Sequence, residues 1–185
     1  MATPVARPKE DQPSALAIGA LVVALVAGFA ALPRLFPTSE SALKGKLAPD
    51  VSFSLVANAP AEGVDLSSLS KLRGHPVLID FWATWCGPCQ MEVPIVDRIA
   101  KRYGAQGLTV VGMNTSDEAG NAASYAKHHH LTFPIAYDEG QHAAAAYGVE
   151  SLPTLVLISK TGQVISVHRG IASDEELDEL VKRAL

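Results

Sequence analysis

Residues 76–94 read PVLIDFWATWCGPCQMEVP, and consecutive pieces of that run carry different structural signals. Pro76–Trp82 is short, apolar and rich in β-branched and aromatic side chains, the composition of a strand buried on both faces. Pro88 stands where a helix tolerates proline, in its first turn, and Ile95, Val96, Ile99 and Ala100 recur at helical spacing through to Tyr103 and Gly104. Between strand and helix lie Cys86 and Cys89, the chain's two cysteines. A cysteine at a helix start meets free backbone N–H groups and the positive end of the helix dipole, and both stabilise its thiolate. Cys89, one turn further in, is expected to be more buried and able to attack Cys86 to release a mixed disulfide. Gly87 lets the chain turn closely, and Pro88 sacrifices no helical hydrogen bond. Strand, CxxC and helix in this order point to a dithiol redox site.

Outward from that run, strand and helix signals alternate. Val51–Val56 alternates apolar and polar as a half-buried strand does, and Leu108–Met113 reads as a buried strand. Thr115 to Glu118 has the capping-box pattern of a helix running to about His129. Phe133–Tyr137 reads as a short extended piece and Gln141–Tyr147 as a short Ala-rich helix. Thr154–Ile158 and Val164–His168 flank a turn at Lys160, Thr161 and Gly162, and a second capping box at Ser173 to Glu176 opens a final helix. This order predicts an α/β fold with a mixed central sheet flanked by helices.

The chain has 185 residues, formal net charge −4 and 48% hydrophobic content, which excludes a disordered or fibrous protein. The acidic balance lacks the basic clustering of a nucleic-acid binder. Residues 14–32, SALAIGALVVALVAGFAAL, carry no charge and are bounded by Pro13 and Pro33. As a helix they span roughly 28 Å, close to a bilayer's hydrocarbon core. A cleaved signal peptide is the alternative, because Gly28, Phe29 and Ala30 offer a small-x-small site, but the apolar stretch is longer than such peptides need. The expected layout is therefore a cytoplasmic segment 1–13, one transmembrane signal anchor 14–32, a juxtamembrane linker 33–46 and a catalytic domain 47–185. Arg7 and Lys9 before the span favour, weakly, a cytoplasmic N-terminus and an exported domain.

Phe81 through Cys89 resembles the active site of thioredoxins, and the continuation Gln90-Met91-Glu92-Val93-Pro94 resembles the TlpA/ResA branch of membrane-anchored thioredoxin-like proteins, which reads CxxCxxExP. Ala48-Pro49-Asp50 and Leu69–Pro76 are similar to that branch as well. The resemblance implies a thioredoxin fold with a strand-helix insert at about 108–137, and a cis peptide before Pro153 facing the CxxC. It implies client binding by Trp85, Gly87, Pro88, Leu152 and Pro153, where the exposed backbone of Leu152 can pair with an extended client. It also makes Asp80 the proton acceptor for Cys89, and Glu92 a residue that tunes the cysteine pair. Members of the branch often carry Asn at the place of Asp80, so this chain combines two patterns.

Each residue also has a plainer reading. Asp80 could occupy a solvent-facing edge, Glu92 could be an ordinary exposed glutamate, and Pro153 could simply begin a strand. The CxxC could be half of a metal site completed by His128, His129 and His130, but adjacent helical residues point about 100° apart and cannot all face one ion. No metal ligand set and no cofactor are therefore expected. Two rival functions remain beside thiol–disulfide exchange: a peroxiredoxin-like thiol peroxidase, and a copper-delivery module using Cys86 and Cys89. The peroxidase pattern P-x-x-x-T-x-x-C meets Ile79 and Ala83 at its Pro and Thr positions. CGPC resembles a reducing site, nearer thioredoxin's potential of about −270 mV than the about −120 mV of an oxidant such as DsbA. The resemblance further implies a single-pass protein of the bacterial cytoplasmic membrane and a membrane electron donor of the DsbD/CcdA kind. Its implied clients are apocytochrome c or copper-oxidase assembly proteins carrying disulfides.

Overall fold

The computed structural model describes residues 18–26, 28, 42–60 and 65–185. The chain divides into two units, Met1–Thr38 and Ser39–Leu185. In the first, residues 18–26 are helical. The rest of the expected 14–32 anchor, apart from residue 28, lies outside the described residues, as does the segment 1–13. Among the described residues no helix is long and apolar enough to cross a membrane.

The second unit runs β1 (Ser54–Ala57), β2 (Val77–Trp82), α1 (Gly87–Tyr103), β3 (Thr109–Asn114), α2 (Ala119–His128), β4 (Ile135–Tyr137), α3 (His142–Ala146), β5 (Thr154–Ile158), β6 (Val164–Arg169) and α4 (Asp174–Lys182). The strands form one sheet in the order β1-β4-β3-β2-β5-β6. β2 lies parallel to β3, from Val77 opposite Thr109 to Trp82 opposite Asn114, and antiparallel to β5. Hydrogen-bonded on both sides and covered on both faces, β2 is buried at every residue, which is why it reads as an unbroken apolar run.

Alternation along β2 sorts its side chains between two cores. Leu78 and Trp82 pack with Cys89, Val93, Val96 and Ile99 of α1 and Leu177 and Val181 of α4. Val77, Ile79 and Phe81 pack on the opposite face with Val111, Met113, Ala143, Ala144 and Tyr147. Asp80 stands between Leu78 and Trp82 and therefore shares the α1 face.

Two expectations are corrected. β1 begins at Ser54 and not Val51, because Ser52 makes only an isolated bridge to Ser68. The capping box at Thr115 does not form: α2 starts at Ala119 without a side-chain cap, and the Thr115 N–H donates to the Trp82 carbonyl at 2.9 Å. The box at Ser173 does form, with Glu176 N–H donating to Ser173 Oγ at 3.2 Å and Ser173 N–H to Glu176 Oε2 at 2.8 Å. The expected 108–137 stretch is observed as β3, α2 and β4: β3 pairs with β2 along its whole length, and β4 lies between β3 and β1. Ahead of the Leu47–Gln163 bridge, Gly45 N–H donates to the Val164 carbonyl at 2.8 Å and Val164 N–H to that of Lys46 at 2.9 Å.

Candidate active site

β2 ends at Trp82 and α1 begins at Gly87, so the intervening Ala83–Cys86 loop sits where a strand's carboxyl end meets a helix's amino end. Cys86 is the N-cap of α1, with extended φ −82° and ψ 104°. The Cys89 backbone N–H donates to Cys86 Sγ at 3.2 Å. The first turn contains Pro88 and no acidic residue, so no side-chain charge opposes a thiolate there. Cys86 and Cys89 are joined in a disulfide, the oxidised form of the pair. Cys86 is 5% exposed and Cys89 fully buried, an asymmetry that offers only Cys86 to an incoming partner.

Cys86 opens into a cavity of about 410 Å³ walled by Trp85, Gly87 and Pro88 on one side and Ser151 and Leu152 on another. The Leu152–Pro153 peptide is cis. Leu152 lines the cavity, whereas Pro153 is buried behind it, its carbonyl accepting from Gly170 N–H at 2.9 Å. Trp85 is 64% exposed, and its indole N–H donates to the Ser116 carbonyl at 2.7 Å. Trp82, by contrast, is a core residue tilted against Tyr125 with ring centroids 5.1 Å apart.

Neither acid adopts its plainer reading: Asp80 and Glu92 are both fully buried. Both oxygens of Asp80 lack a hydrogen-bond partner. Burial pushes the Asp80 carboxyl well above the usual range, and the charge of Glu92 pushes it further. Glu92 lies one turn beyond Cys89 on α1; its Oε1 accepts from the Ala172 N–H at 2.8 Å and its Oε2 has no partner. Burial raises Glu92 to about 7, against the opposing pull of the Ala172 hydrogen bond. Burial thus makes both carboxyls hold their protons more tightly than exposed acids do, and each influences the other.

The histidine run lies at the end of α2: His128 is its last residue, His129 stacks on Tyr125 at 4.0 Å, and His130 adopts a left-handed φ of 53°. Among the described residues, no group of three or more His, Cys, Asp or Glu side chains is placed to hold a metal.

Sequence reasoning missed Asp117. Its Oδ2 accepts from the Thr84 N–H at 2.7 Å and from Asn114 Nδ2 at 3.3 Å, and its Oδ1 from Glu118 N–H at 2.9 Å and Asn121 Nδ2 at 3.1 Å. Burial works to raise this carboxyl, but the hydrogen bonds from Thr84, Asn121 and Glu118 prevail and hold it at about 2. No spacing rule marks such a residue, because its partner is 33 positions away.

The chain matches the Redoxin family over residues 43–182. It is 31% identical over 171 residues to the thiol-disulfide oxidoreductase ResA of Geobacillus kaustophilus, covering 92% of this chain and 95% of that one. The Bacillus cereus protein of the same description is 29% identical over 163 residues, covering 88% and 91%. Among solved structures, a thiol:disulfide interchange protein of the thioredoxin family from Chlorobium tepidum superposes with a TM-score of 0.65 at 29% identity, covering 76% of this chain and 97% of that one.

Proposed function

The chain belongs to the redoxin family, among its TlpA/ResA-type thioredoxin-like members, and from that premise we propose a membrane-tethered reductase of protein disulfides working outside the bacterial cytoplasm. That it is a thiol–disulfide oxidoreductase follows from its relatives and from the Cys86–Cys89 pair. The observation that carries the mechanism is the placing of Cys86 at the α1 N-cap, with buried acids on the face where Cys89 packs.

In the reduced protein the Cys86 thiolate attacks one sulfur of a client disulfide. The client S–S bond breaks, one client thiolate leaves, and a mixed disulfide joins Cys86 to the client. Cys89 then gives its proton to the Asp80–Glu92 pair. The resulting Cys89 thiolate attacks Cys86 Sγ, expelling the second client thiolate and closing the Cys86–Cys89 disulfide. Two electrons have passed from the dithiol to the client. Trp85, Gly87, Pro88 and Leu152 form the surface against which the client's cysteine is presented, and Pro153 holds the Leu152 segment from behind.

The apolar run 14–32 supports the tether, with the domain on the extracytoplasmic face; secretion after cleavage at residues 28–30 is the alternative. With no other cysteines, the pair has no structural partner to stabilise and must cycle. The chain carries no cofactor motif, so its electrons come from a membrane thiol carrier of the DsbD/CcdA kind. Its clients are disulfide-bearing proteins of the apocytochrome c or copper-oxidase assembly type. Thiol trapping in intact cells tests this reading: Cys86 and Cys89 are mainly reduced in wild-type cells and become oxidised when the carrier is deleted. A pair mainly oxidised in both strains contradicts a reductase.

A further inference from the structure

Asp117 does more than start a helix. The segment Thr115–Glu118, between β3 and α2, is bonded at three points to the end of β2 and the active-site loop that follows it. Thr115 N–H donates to the Trp82 carbonyl at 2.9 Å, Thr84 N–H to Asp117 Oδ2 at 2.7 Å, and Trp85 Nε1–H to the Ser116 carbonyl at 2.7 Å. Tyr137 of β4 braces the segment from the far side, its hydroxyl donating to the Asp117 carbonyl at 3.1 Å. Ser116 has a φ of +58°, a left-handed conformation that is strained for a non-glycine residue. That strain is borne where the Ser116 carbonyl meets the Trp85 indole.

Gln141, at φ +60°, is likewise a left-handed non-glycine residue, and with Thr115 and Ser116 it lines the cavity over Cys86. Trp85 is the large exposed aromatic of that cavity, and an aromatic free to rotate would lose entropy each time a client seats against it. A tether that fixes the ring beforehand removes that cost.

We propose that Asp117 is a positioning residue for client capture: by anchoring Thr84 and the Ser116 turn it holds the Trp85 ring as a preset wall of the client cleft. Asp117 touches neither sulfur and leaves the chemical step to Cys86, Cys89 and the buried acids. The inference rests on the disulfide-exchange activity, and not on the direction of electron flow or the identity of the clients. Asp117→Asn is the informative change. Four N–H donors converge on the carboxylate, and an amide has one acceptor oxygen and an NH₂ that opposes them.

The test is steady-state reduction of insulin disulfides by the full-length protein, with the midpoint potential of the Cys86–Cys89 pair measured alongside. Asp117→Asn is expected to raise KM about tenfold with kcat and potential little changed. Trp85→Phe keeps an aromatic side chain, smaller than indole, and loses the Nε1 donor. It is expected to raise KM similarly, and the double variant to do no more than either alone. Asn121→Ala, which removes a bond on the α2 side of Asp117, leaves KM unchanged. If Asp117→Asn fails to fold, Asp117→Glu, which keeps the charge but moves the carboxylate off the Thr84 N–H, takes its place with the same expected rise in KM. An unchanged KM in these variants, a kcat that falls at constant KM, or additive effects overturns the inference. Wild-type protein inert toward insulin overturns the underlying activity with it, whereas an active wild type with an indifferent Asp117→Asn overturns this inference alone.

Discussion

Glu92→Gln is expected to remove one part of a pH-dependent loss of stability near neutrality, the part Asp80 imposes remaining. The substitution keeps the side chain's shape and leaves an oxygen to accept from the Ala172 N–H, but abolishes the titration. Burial raises the folded-state value from 4.5 to about 7. A carboxyl whose folded value lies above its unfolded value holds a proton in the native state that the unfolded chain has already released. Stability therefore falls as pH rises from about 4.5 to about 7 and is level beyond, the reverse of an ion-paired acid. Between about pH 5 and pH 8 this one group costs the wild type about 2.5 kcal/mol relative to Glu92→Gln. Asp80 titrates in both proteins, so the comparison isolates Glu92 apart from the relief its neutrality gives Asp80. Urea unfolding of the oxidised proteins at the two pH values gives the difference of differences directly. A gap that is constant within about 0.5 kcal/mol refutes the reasoning. So does a gap that moves against Glu92→Gln at high pH, which shows an anion stabilised in place.

Asp80→Asn is expected to slow the second chemical step, because it removes one of the buried acceptors for the Cys89 proton. At neutral pH the mixed disulfide with a client persists about 10²-fold longer, and the effect fades at alkaline pH, where the thiol ionises unaided. A mixed-disulfide lifetime equal to wild type assigns proton transfer to Glu92 alone. Gly112→Ala is expected to lower the unfolding midpoint. A Cβ there meets Ile135 Cδ1 and Phe133 Cε2 at 2.8 Å, and overpacking of about 1–3 kcal/mol outweighs the unfolded-state gain of about 0.4–1 kcal/mol. An unchanged midpoint in denaturant shows that β4 and its loop yield freely.

The parts legible in the sequence were those fixed by local pattern. β2 announces itself because it is buried on both faces, and α1 because Pro88 and the recurrent apolar residues agree on one helix. The Ser173–Glu176 box needs only four neighbouring residues, and it forms. Thr115–Glu118 carries the same pattern but forms no cap. Long-range bonds to Trp82, Thr84 and Trp85 claim the segment first, and tertiary contacts override a cap worth about 1 kcal/mol. Cys86 and Cys89 stood out by spacing and by their place between strand and helix. Glu92's burial did not, since a glutamate early in a helix is ordinarily solvated; its place is set by Ala172, 80 residues on. Asp80 was more legible, because an acid within an apolar central strand has nowhere else to face.

The central claim is that Cys86 attacks and Cys89 resolves, and the most direct measurement is which sulfur holds a client when the other is removed. Cys89→Ser protein, reduced and exposed to a disulfide-bonded client, is expected to accumulate a stable mixed disulfide that mass spectrometry places at Cys86. Cys86→Ser is expected to trap nothing, because the remaining sulfur is fully buried. Client captured through Cys89 in the Cys86→Ser protein, with none on Cys86 in Cys89→Ser, contradicts the account.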